Sequence, residues 1–181
     1  MSLYTSFKTT GKKQLQEKLG KTNVHEVPVI EKVVVAVGIW SLATRKWVKD
    51  FSDIEKNIMT ITWQKPHMIL SRKSISNFKL REDMPVMLRT TLRGKKAYDF
   101  IERMVALVLP RLRDFQWVSN KKFDGRGNYS LGFSTQAVFA EISPEEVGTN
   151  TGVQITIVTS TTVDAEAKTL LQSLWIIFIQ A

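Results

Sequence analysis

The chain has 181 residues, of which 43% are hydrophobic and 24% are charged, a balance typical of a soluble globular protein. Its formal net charge of +9 at pH 7 favours a polyanionic partner such as a nucleic acid or an anionic membrane surface. Because the sequence contains no cysteine, disulfides, thiolate metal sites and cysteine nucleophiles are excluded. No apolar run in the sequence is long enough to cross a membrane.

Three elements are predicted in the first third of the chain. Residues 1–22 form a lysine-rich basic helix with a partly apolar face, and Gly20 ends it. Residues 27–38 are rich in β-branched side chains and form a strand. Residues 44–61 form a helix whose apolar stripe consists of Trp47, Phe51, Ile54, Ile58 and Ile61. We expect the apolar faces of the two helices, 1–22 and 44–61, to pack against the rest of the protein rather than to bind a ligand.

A basic loop follows. Residues 1–81 contain 15 Lys and Arg against 6 Asp and Glu, whereas residues 82–181 contain 11 of each kind. The basic surface therefore belongs to the first half, and residues 70–82 are expected to project as a loop. An aromatic residue, Phe78, lies within it. Such a loop suits a phosphate backbone, and a solvated surface loop is the equally weighted alternative. The basic residues from 64 to 81, a stretch without Asp or Glu, are Lys65, Arg72, Lys73, Lys79 and Arg81.

The second half alternates strands and helices. Over residues 85–93, apolar and polar side chains alternate, which places Arg89, Thr91 and Arg93 on the less apolar face of a strand. The remaining elements are a helix at 95–109 ended by Pro110, a glycine-rich turn at 120–130 that presents Arg126, strands at 130–139 and 153–160, and a helix that begins near Thr162 or Asp164.

This order predicts a single α+β domain over residues 1–181, with a mostly antiparallel sheet, helices packed on one face and the other face open. The less apolar faces of the three later strands carry Arg, Thr, Ser and Gln but no Asp or Glu, with Gln136 among them, and the first strand adds Lys32. Donors without carboxylates suit phosphate and ribose contacts, whereas an ordinary solvated face mixes both charge signs.

Catalytic and metal-binding patterns are missing from the sequence. The two histidines, His25 and His67, are far apart and have no second ligand at metal-binding spacing. There is no serine nucleophile elbow, and the glycines at 125 and 127 lack the Lys-Ser or Lys-Thr of a phosphate-binding loop. We therefore predict a protein that is not an enzyme and needs no metal or other cofactor.

Longer motifs carry a resemblance that covers nearly the whole chain in order. They are Lys-Val-Val-Val-Ala-Val-Gly from Lys32, Gln-Lys-Pro from Gln64, Arg-Lys-Ser-Ile-Ser-Asn-Phe-Lys-Leu-Arg-Glu-Asp-Met-Pro from Arg72, Thr-Leu-Arg-Gly from Thr91, Leu-Pro-Arg-Leu-Arg-Asp-Phe from Leu109, Phe-Asp-Gly-Arg-Gly-Asn-Tyr-Ser-Leu-Gly from Phe123 and Ile-Thr-Ile-Val-Thr from Ile155. In these stretches the sequence resembles the bacterial-type family of large-subunit ribosomal protein five, which carries 5S rRNA.

The resemblance implies a structural RNA-binding protein, cytoplasmic and ribosome-bound, in the central protuberance of the large subunit. It implies 5S rRNA on the open sheet face and P-site tRNA near the loop. Further implied partners are 23S-type rRNA, other 5S-binding ribosomal proteins and, at an intersubunit bridge, a small-subunit head protein, but no membrane. Candidate rRNA-binding residues are Lys32, Ala36, Thr62, Gln64, Arg89, Thr91, Arg93 and Arg126. Candidate tRNA-binding residues are Arg72, Lys73, Ser74, Ser76, Asn77 and Lys79.

Two other functional classes stay open at this point: an RNA-modifying or ribosome-assembly enzyme on a similar scaffold, and a basic protein-interaction module without RNA. The sequence also departs from the family pattern. Ala36 replaces an asparagine, so that an amide contact to RNA is missing or replaced. Where the pattern has glycine, this chain has Trp40, Trp63, Trp117 and Trp175. RNA stacking can account for one or two of these tryptophans but poorly for all four. We hypothesise instead that they are products of UGA codons that the source reads as glycine, with Trp47 as a fifth candidate.

Overall fold

The computed structural model describes residues 2–45, 50–112, 119–142, 151–176 and 178. In chain order its α-helices are α1 Leu3–Ser6, α2 Lys12–Leu19, α3 Trp40–Arg45, α4 Ser52–Thr62, α5 Lys95–Arg103 and α6 Asp164–Ser173. Its strands are β1 Ile30–Gly38, β2 His67–Leu70, β3 Pro85–Arg93, β4 Tyr129–Phe133 and β5 Val153–Thr159. The π-helical turns Phe7–Gly11 and Met104–Val108 follow α1 and α5 directly.

The five strands form one sheet in the order β2-β3-β1-β5-β4. β2 pairs antiparallel with β3, and His67 lies opposite Arg89. β2 and β3, like β4 and β5, are consecutive in the chain, whereas β1 lies between β3 and β5, which come later in the sequence. The predicted α+β class with a mostly antiparallel sheet is therefore confirmed.

Side chains alternate in burial along the central strands, as the pleat of a β-strand requires. In β1, Val33, Val35 and Val37 are completely buried, and in β3 the buried positions include Leu88 and Leu92. The residues between them are half-buried or exposed, apart from Thr90, which shares the buried parity of β3. The predicted alternation holds in β1 from Val33 to Val37 but not at its start, where Ile30 is buried. In β3 the prediction is confirmed, and Arg89, Thr91 and Arg93 lie on its more exposed face.

The described residues group into two compact units. The first consists of Met1–Val33, Leu92–Leu131 and Thr156–Ala181. Within it, Tyr98 packs its ring against those of Tyr4 and Phe7, at centroid distances of 5.5 and 5.4 Å. Lys21 Nζ lies 2.8 Å from Glu166 Oε1, and the hydrogen bond from Lys21 lowers the pKa of Glu166. The N-terminal helix is thereby fixed to α5 by aromatic packing and to α6 by an ion pair.

The second unit consists of Val34–Thr91 and Gly132–Ile155. Its core includes Ile54, Ile58 and Ile61, which α4 presents as one stripe. Gln136 is completely buried, its side-chain oxygen accepts a hydrogen bond from Asn57 at 3.2 Å, and its amide nitrogen donates to Thr151. This buried amide is satisfied within the unit and serves structure.

Some sequence-based boundaries are wrong. The predicted helix 44–61 is not continuous, since Asp50 and Phe51 are not helical and α4 begins only at Ser52, whose N–H donates to the Asp50 carboxylate. The predicted strand 130–139 ends at Phe133, because residues 136–138 form a 3-10 turn that places Gln136 in the core rather than on the open face. Strand β2 was not predicted. Trp47 and Trp117 lie outside the described residues.

Thr90 offers a test of this core. It lies on the buried face of β3, and its hydroxyl has no hydrogen-bond partner in the part of the chain that the structure describes. A buried polar group without a partner costs about 1–3 kcal/mol. We expect Thr90→Val to raise the free energy of unfolding by about 1 kcal/mol, measured by urea denaturation.

Thr62 is the matched control for this substitution. It is also buried, but its hydroxyl donates to the Ile58 carbonyl oxygen at 2.7 Å. Thr62→Val should therefore lower the free energy of unfolding by about 1 kcal/mol. Equal losses of stability at positions 90 and 62 would contradict the assignment of Thr90 as an unsatisfied hydroxyl.

Candidate nucleic-acid interface

In the second unit, polar side chains meet on the more exposed face of β2 and β3. Arg89 is exposed and Thr91 is half-buried on this face of β3. The register places His67 of β2 directly opposite Arg89. Side chains that lie opposite each other in an antiparallel pair share one face, so the exposed side chains of His67 and Arg89 emerge from neighbouring positions on that face. Together they provide hydrogen-bond donors without a carboxylate between them.

His67 is a candidate that sequence reasoning missed. The only role considered for it from the sequence was metal binding, and the residues around it did not support that role. β2 has four residues, too few to show a clear alternation, so no strand was predicted for it. Its relation to Arg89 depends on strand register, which becomes visible only in the structure.

Gln64 and Thr62 lie at the end of α4 and differ in what they can contact. The Gln64 amide nitrogen donates to the Thr91 carbonyl oxygen at 3.3 Å, which ties this half-buried side chain to β3. The Thr62 hydroxyl, by contrast, is buried and lies 3.0 Å from the Gln64 carbonyl oxygen. Thr62 therefore helps to position the backbone of Gln64. Within the described ranges, the Gln64 side chain is engaged through its amide nitrogen.

β1 adds little hydrogen-bonding capacity in this unit. Ala36 is half-buried on the same parity as Val34, and neither side chain can donate or accept a hydrogen bond. This part of the face can provide only van der Waals contact. Ala36 itself therefore offers no amide to a nucleic acid.

The first unit contains the other three candidate rRNA-binding residues. Lys32 is half-buried on β1, and Arg93 is exposed at the end of β3. Arg126 is exposed at the tip of the Asp-Gly-Arg-Gly turn. All three are cations with an exposed or partly exposed side chain, as an electrostatic contact to phosphate requires.

The turn that presents Arg126 is built by Asp124. Its carboxylate accepts hydrogen bonds from the Asn128 side chain at 2.7 Å and from the backbone N–H groups of Arg126 and Asn128 at 2.8 and 3.0 Å. These bonds lower the pKa of Asp124. Because the carboxylate is committed to the turn, it stays ionised and holds the backbone while Arg126 remains exposed at the tip.

The basic loop between β2 and β3 is held by its own hydrogen bonds. Ile75 and Leu80 exchange two backbone hydrogen bonds of 3.0 and 3.1 Å, and the Ser74 hydroxyl accepts from the Glu82 N–H at 3.0 Å. A 3-10 turn at Ser76–Phe78 leads to Lys79 in the left-handed region at φ +53°. The six candidate residues Arg72, Lys73, Ser74, Ser76, Asn77 and Lys79 are all exposed.

Other site classes find no support in the described ranges. They contain no group of three or more His, Asp or Glu side chains that could hold a metal ion. None of their helices combines the length and the apolar character that a membrane span needs. What the structure does bring together is a polar strand face, on which no carboxylate stands between Arg89 and His67, and an exposed basic loop.

Comparison with known proteins agrees with this arrangement. The family model described as "Ribosomal protein L5" matches residues 23–81, and the model for the C-terminus of the same ribosomal family matches residues 85–178. The large ribosomal subunit protein uL5 of Prochlorococcus marinus (strain NATL1A) is 42% identical over 174 residues, which cover 96% of each chain. The uL5 protein of Thermosipho melanesiensis is 44% identical over 87% of this chain and 86% of its own, and that of Saccharopolyspora erythraea is 41% identical over 95% and 91%. The chain therefore belongs to the ribosomal protein uL5 family of the large ribosomal subunit.

Proposed function

We propose that this protein, a ribosomal protein of the large subunit and not an enzyme, binds 5S rRNA in the central protuberance. The observation that carries the proposal is the more exposed face of β2 and β3, where Arg89 and His67 stand side by side and no carboxylate lies between them. A cationic, donor-rich face attracts the phosphate backbone and can also donate to ribose hydroxyls.

The candidate rRNA-binding residues then take different roles. Gln64 and Thr91 are tied to each other and provide polar contacts at a fixed place. Thr62 acts by positioning Gln64, and Ala36 allows close approach of the RNA. His67 is added to this set as a hydrogen-bond donor beside Arg89. The residues that provide charge for phosphate oxygens are Arg89, Arg93, Lys32 and Arg126.

For the loop at 70–82 we propose contact with P-site tRNA. Its six candidate side chains are exposed, and the Ile75–Leu80 hydrogen bonds hold its backbone in one shape. A loop ordered before binding loses less conformational entropy when it meets its partner. Contacts with 23S-type rRNA, with other 5S-binding proteins and with a head protein of the small subunit follow from the family resemblance and stay predictions.

A gel-shift titration against 5S rRNA over a salt series tests the main proposal. We expect tight binding that weakens as salt rises, since each neutralised phosphate releases counterions and contributes about 0.7–0.9 to the slope of log K against log salt. Competition by an excess of unrelated RNA should leave the complex intact. Equal affinity for 5S rRNA and for any other folded RNA would contradict the proposal.

A further inference from the structure

Three helices of this protein end on or beside a residue in the left-handed conformation. α2 ends at Gly20, with φ +62° and ψ +26°. α4 ends at Trp63, with φ +53° and ψ +30°, and α6 is followed by Trp175 at φ +73°. Glycine is the usual residue at such a position, because without a Cβ atom it adopts positive φ at no steric cost.

The backbone hydrogen bonds at the ends of α2 and α6 follow the same pattern. After α2, the Gly20 N–H donates to the Glu17 carbonyl at 3.3 Å and the Lys21 N–H to the Gln16 carbonyl at 3.2 Å. After α6, the Trp175 N–H donates to the Gln172 carbonyl and the Ile176 N–H to the Leu171 carbonyl, both at 3.1 Å. This pair of bonds is the Schellman motif, in which the left-handed residue is the one that Gly20 and Trp175 occupy.

α4 ends with the simpler form of the same device. The Trp63 N–H donates to the Met59 carbonyl oxygen at 2.7 Å, the single bond of a left-handed helix cap. In both caps the indole gains little from burial, since Trp63 is 65% exposed and Trp175 is 73% exposed. Two of the largest side chains thus occupy positions that disfavour any Cβ atom, without the burial that offsets such strain elsewhere.

We propose that residues 63 and 175 are glycine in the protein as its source cell makes it, and that UGA codons there are decoded as glycine. UGA differs by one base from the glycine codon GGA and by one base from the tryptophan codon UGG. Reading UGA as tryptophan therefore places tryptophan at glycine positions. Of the four positions that the family pattern groups together, the structure describes 40, 63 and 175, and its backbone geometry separates these three.

Trp40 does not share this geometry. It is the first residue of α3, it is not among the residues with positive φ, and its half-buried ring packs edge-on against Phe78 at 6.3 Å. Its backbone does not require glycine. The proposal for positions 63 and 175 therefore stands on the helix caps and is independent of what position 40 is.

The assignment changes the interpretation of one cavity in the first unit. A mostly apolar cavity of about 640 Å³ is lined by Leu3, Glu102, Val105, Ala106, Leu174 and Trp175. The indole of Trp175 forms one of its walls. With glycine at position 175 this side chain is absent, so the cavity does not have this shape in the native protein.

Peptide mass spectrometry of the protein isolated from its native ribosomes, together with the codons of its gene, gives the direct test. We expect peptides with the mass of glycine at positions 63 and 175, and UGA at both codons. UGG codons, or peptides with the mass of tryptophan at these positions, would overturn the proposal.

Recombinant variants test the physical basis separately. Trp63→Gly and Trp175→Gly should each raise Tm by about 2–4 °C. Trp63→Ala and Trp175→Ala keep the Cβ atom and should raise Tm less, whereas Gly20→Ala, at the matched cap, should lower it. Equal effects of glycine and alanine at position 63 or 175 would contradict the backbone argument.

A gel shift with 5S rRNA distinguishes the remaining alternative, that Trp63 stacks on an unpaired base. If Trp63→Gly weakens binding at least about tenfold while Trp63→Phe binds as tightly as the parent, the ring is a stacking platform and the proposal fails at position 63. Unchanged affinity of Trp63→Gly supports it. If the proposed function is wrong, the parent chain itself does not bind 5S rRNA. That outcome is distinct from a loss of binding seen only in Trp63→Gly.

Discussion

Replacing both Arg89 and Arg93 with alanine is expected to weaken binding to 5S rRNA by on the order of 10- to 100-fold, because each lost charge-assisted phosphate contact costs about 1 kcal/mol or more. Both arginines are exposed on β3. The slope of log K against log salt should also fall by about 1 for each arginine removed. Gel-shift titrations at several salt concentrations measure both quantities.

The loop variant Arg72→Ala with Lys73→Ala is the matched control. Like the first variant, it removes two positive charges, and both residues are exposed. We expect it to leave 5S affinity within about twofold and to impair translation by reconstituted ribosomes, since P-site tRNA is the proposed partner of this loop. The same defect from both pairs would show that the division of the surface into rRNA and tRNA contacts is wrong.

Gly127→Ala is expected to lower the free energy of unfolding by about 3–5 kcal/mol, because a Cβ atom at this position forces backbone to move. Gly127 has φ +76°, and a Cβ atom there would lie 2.2 Å from the Thr161 carbonyl oxygen and 3.0 Å from its carbon. The Gly127 N–H also donates to Asp164 at 2.7 Å, and its carbonyl accepts from the Thr159 hydroxyl at 2.7 Å. The nearest atoms belong to backbone, so no flexible side chain can yield to relieve the clash.

Gly125→Ala separates this clash from the cost of positive φ. Gly125 has almost the same φ, +78°, but nothing lies within 4 Å of a Cβ atom built there. We expect a loss of about 1 kcal/mol, the cost of the left-handed region alone. Denaturant unfolding of the two variants measures the difference. Equal losses would mean that conformational strain, rather than contact with Thr161, decides the requirement for glycine at 127.

Hydrophobic periodicity in the sequence was sufficient for the α+β class and for the faces of the main elements. The stripe Ile54, Ile58 and Ile61 and the alternation around Leu88 and Leu92 depend only on local geometry, because side chains repeat every 3.6 residues in a helix and every two in a strand. Gly20 as the end of the first helix was likewise readable, since glycine is the usual left-handed cap.

Boundaries failed where a side chain competed with the local pattern. The apolar stripe suggested one helix, but α4 begins only at Ser52, whose N–H is hydrogen-bonded to the Asp50 carboxylate. Gln136 looked like a surface residue, but Asn57 and Thr151 satisfy its amide in the core. These partners are 79 and 15 residues away in the chain, so no local window of sequence reveals them.

Composition, periodicity and motif order in the sequence by themselves indicated a basic α+β protein and the family to which it belongs. Those properties depend on residue type and local spacing. Only the tertiary structure placed His67 beside Arg89, buried the Thr62 hydroxyl behind Gln64 and put Trp63 and Trp175 in left-handed helix caps. Strand register, burial and backbone angles decide these features, because they arise from contacts between residues that are distant in sequence or from the sign of φ, which residue identity alone does not fix.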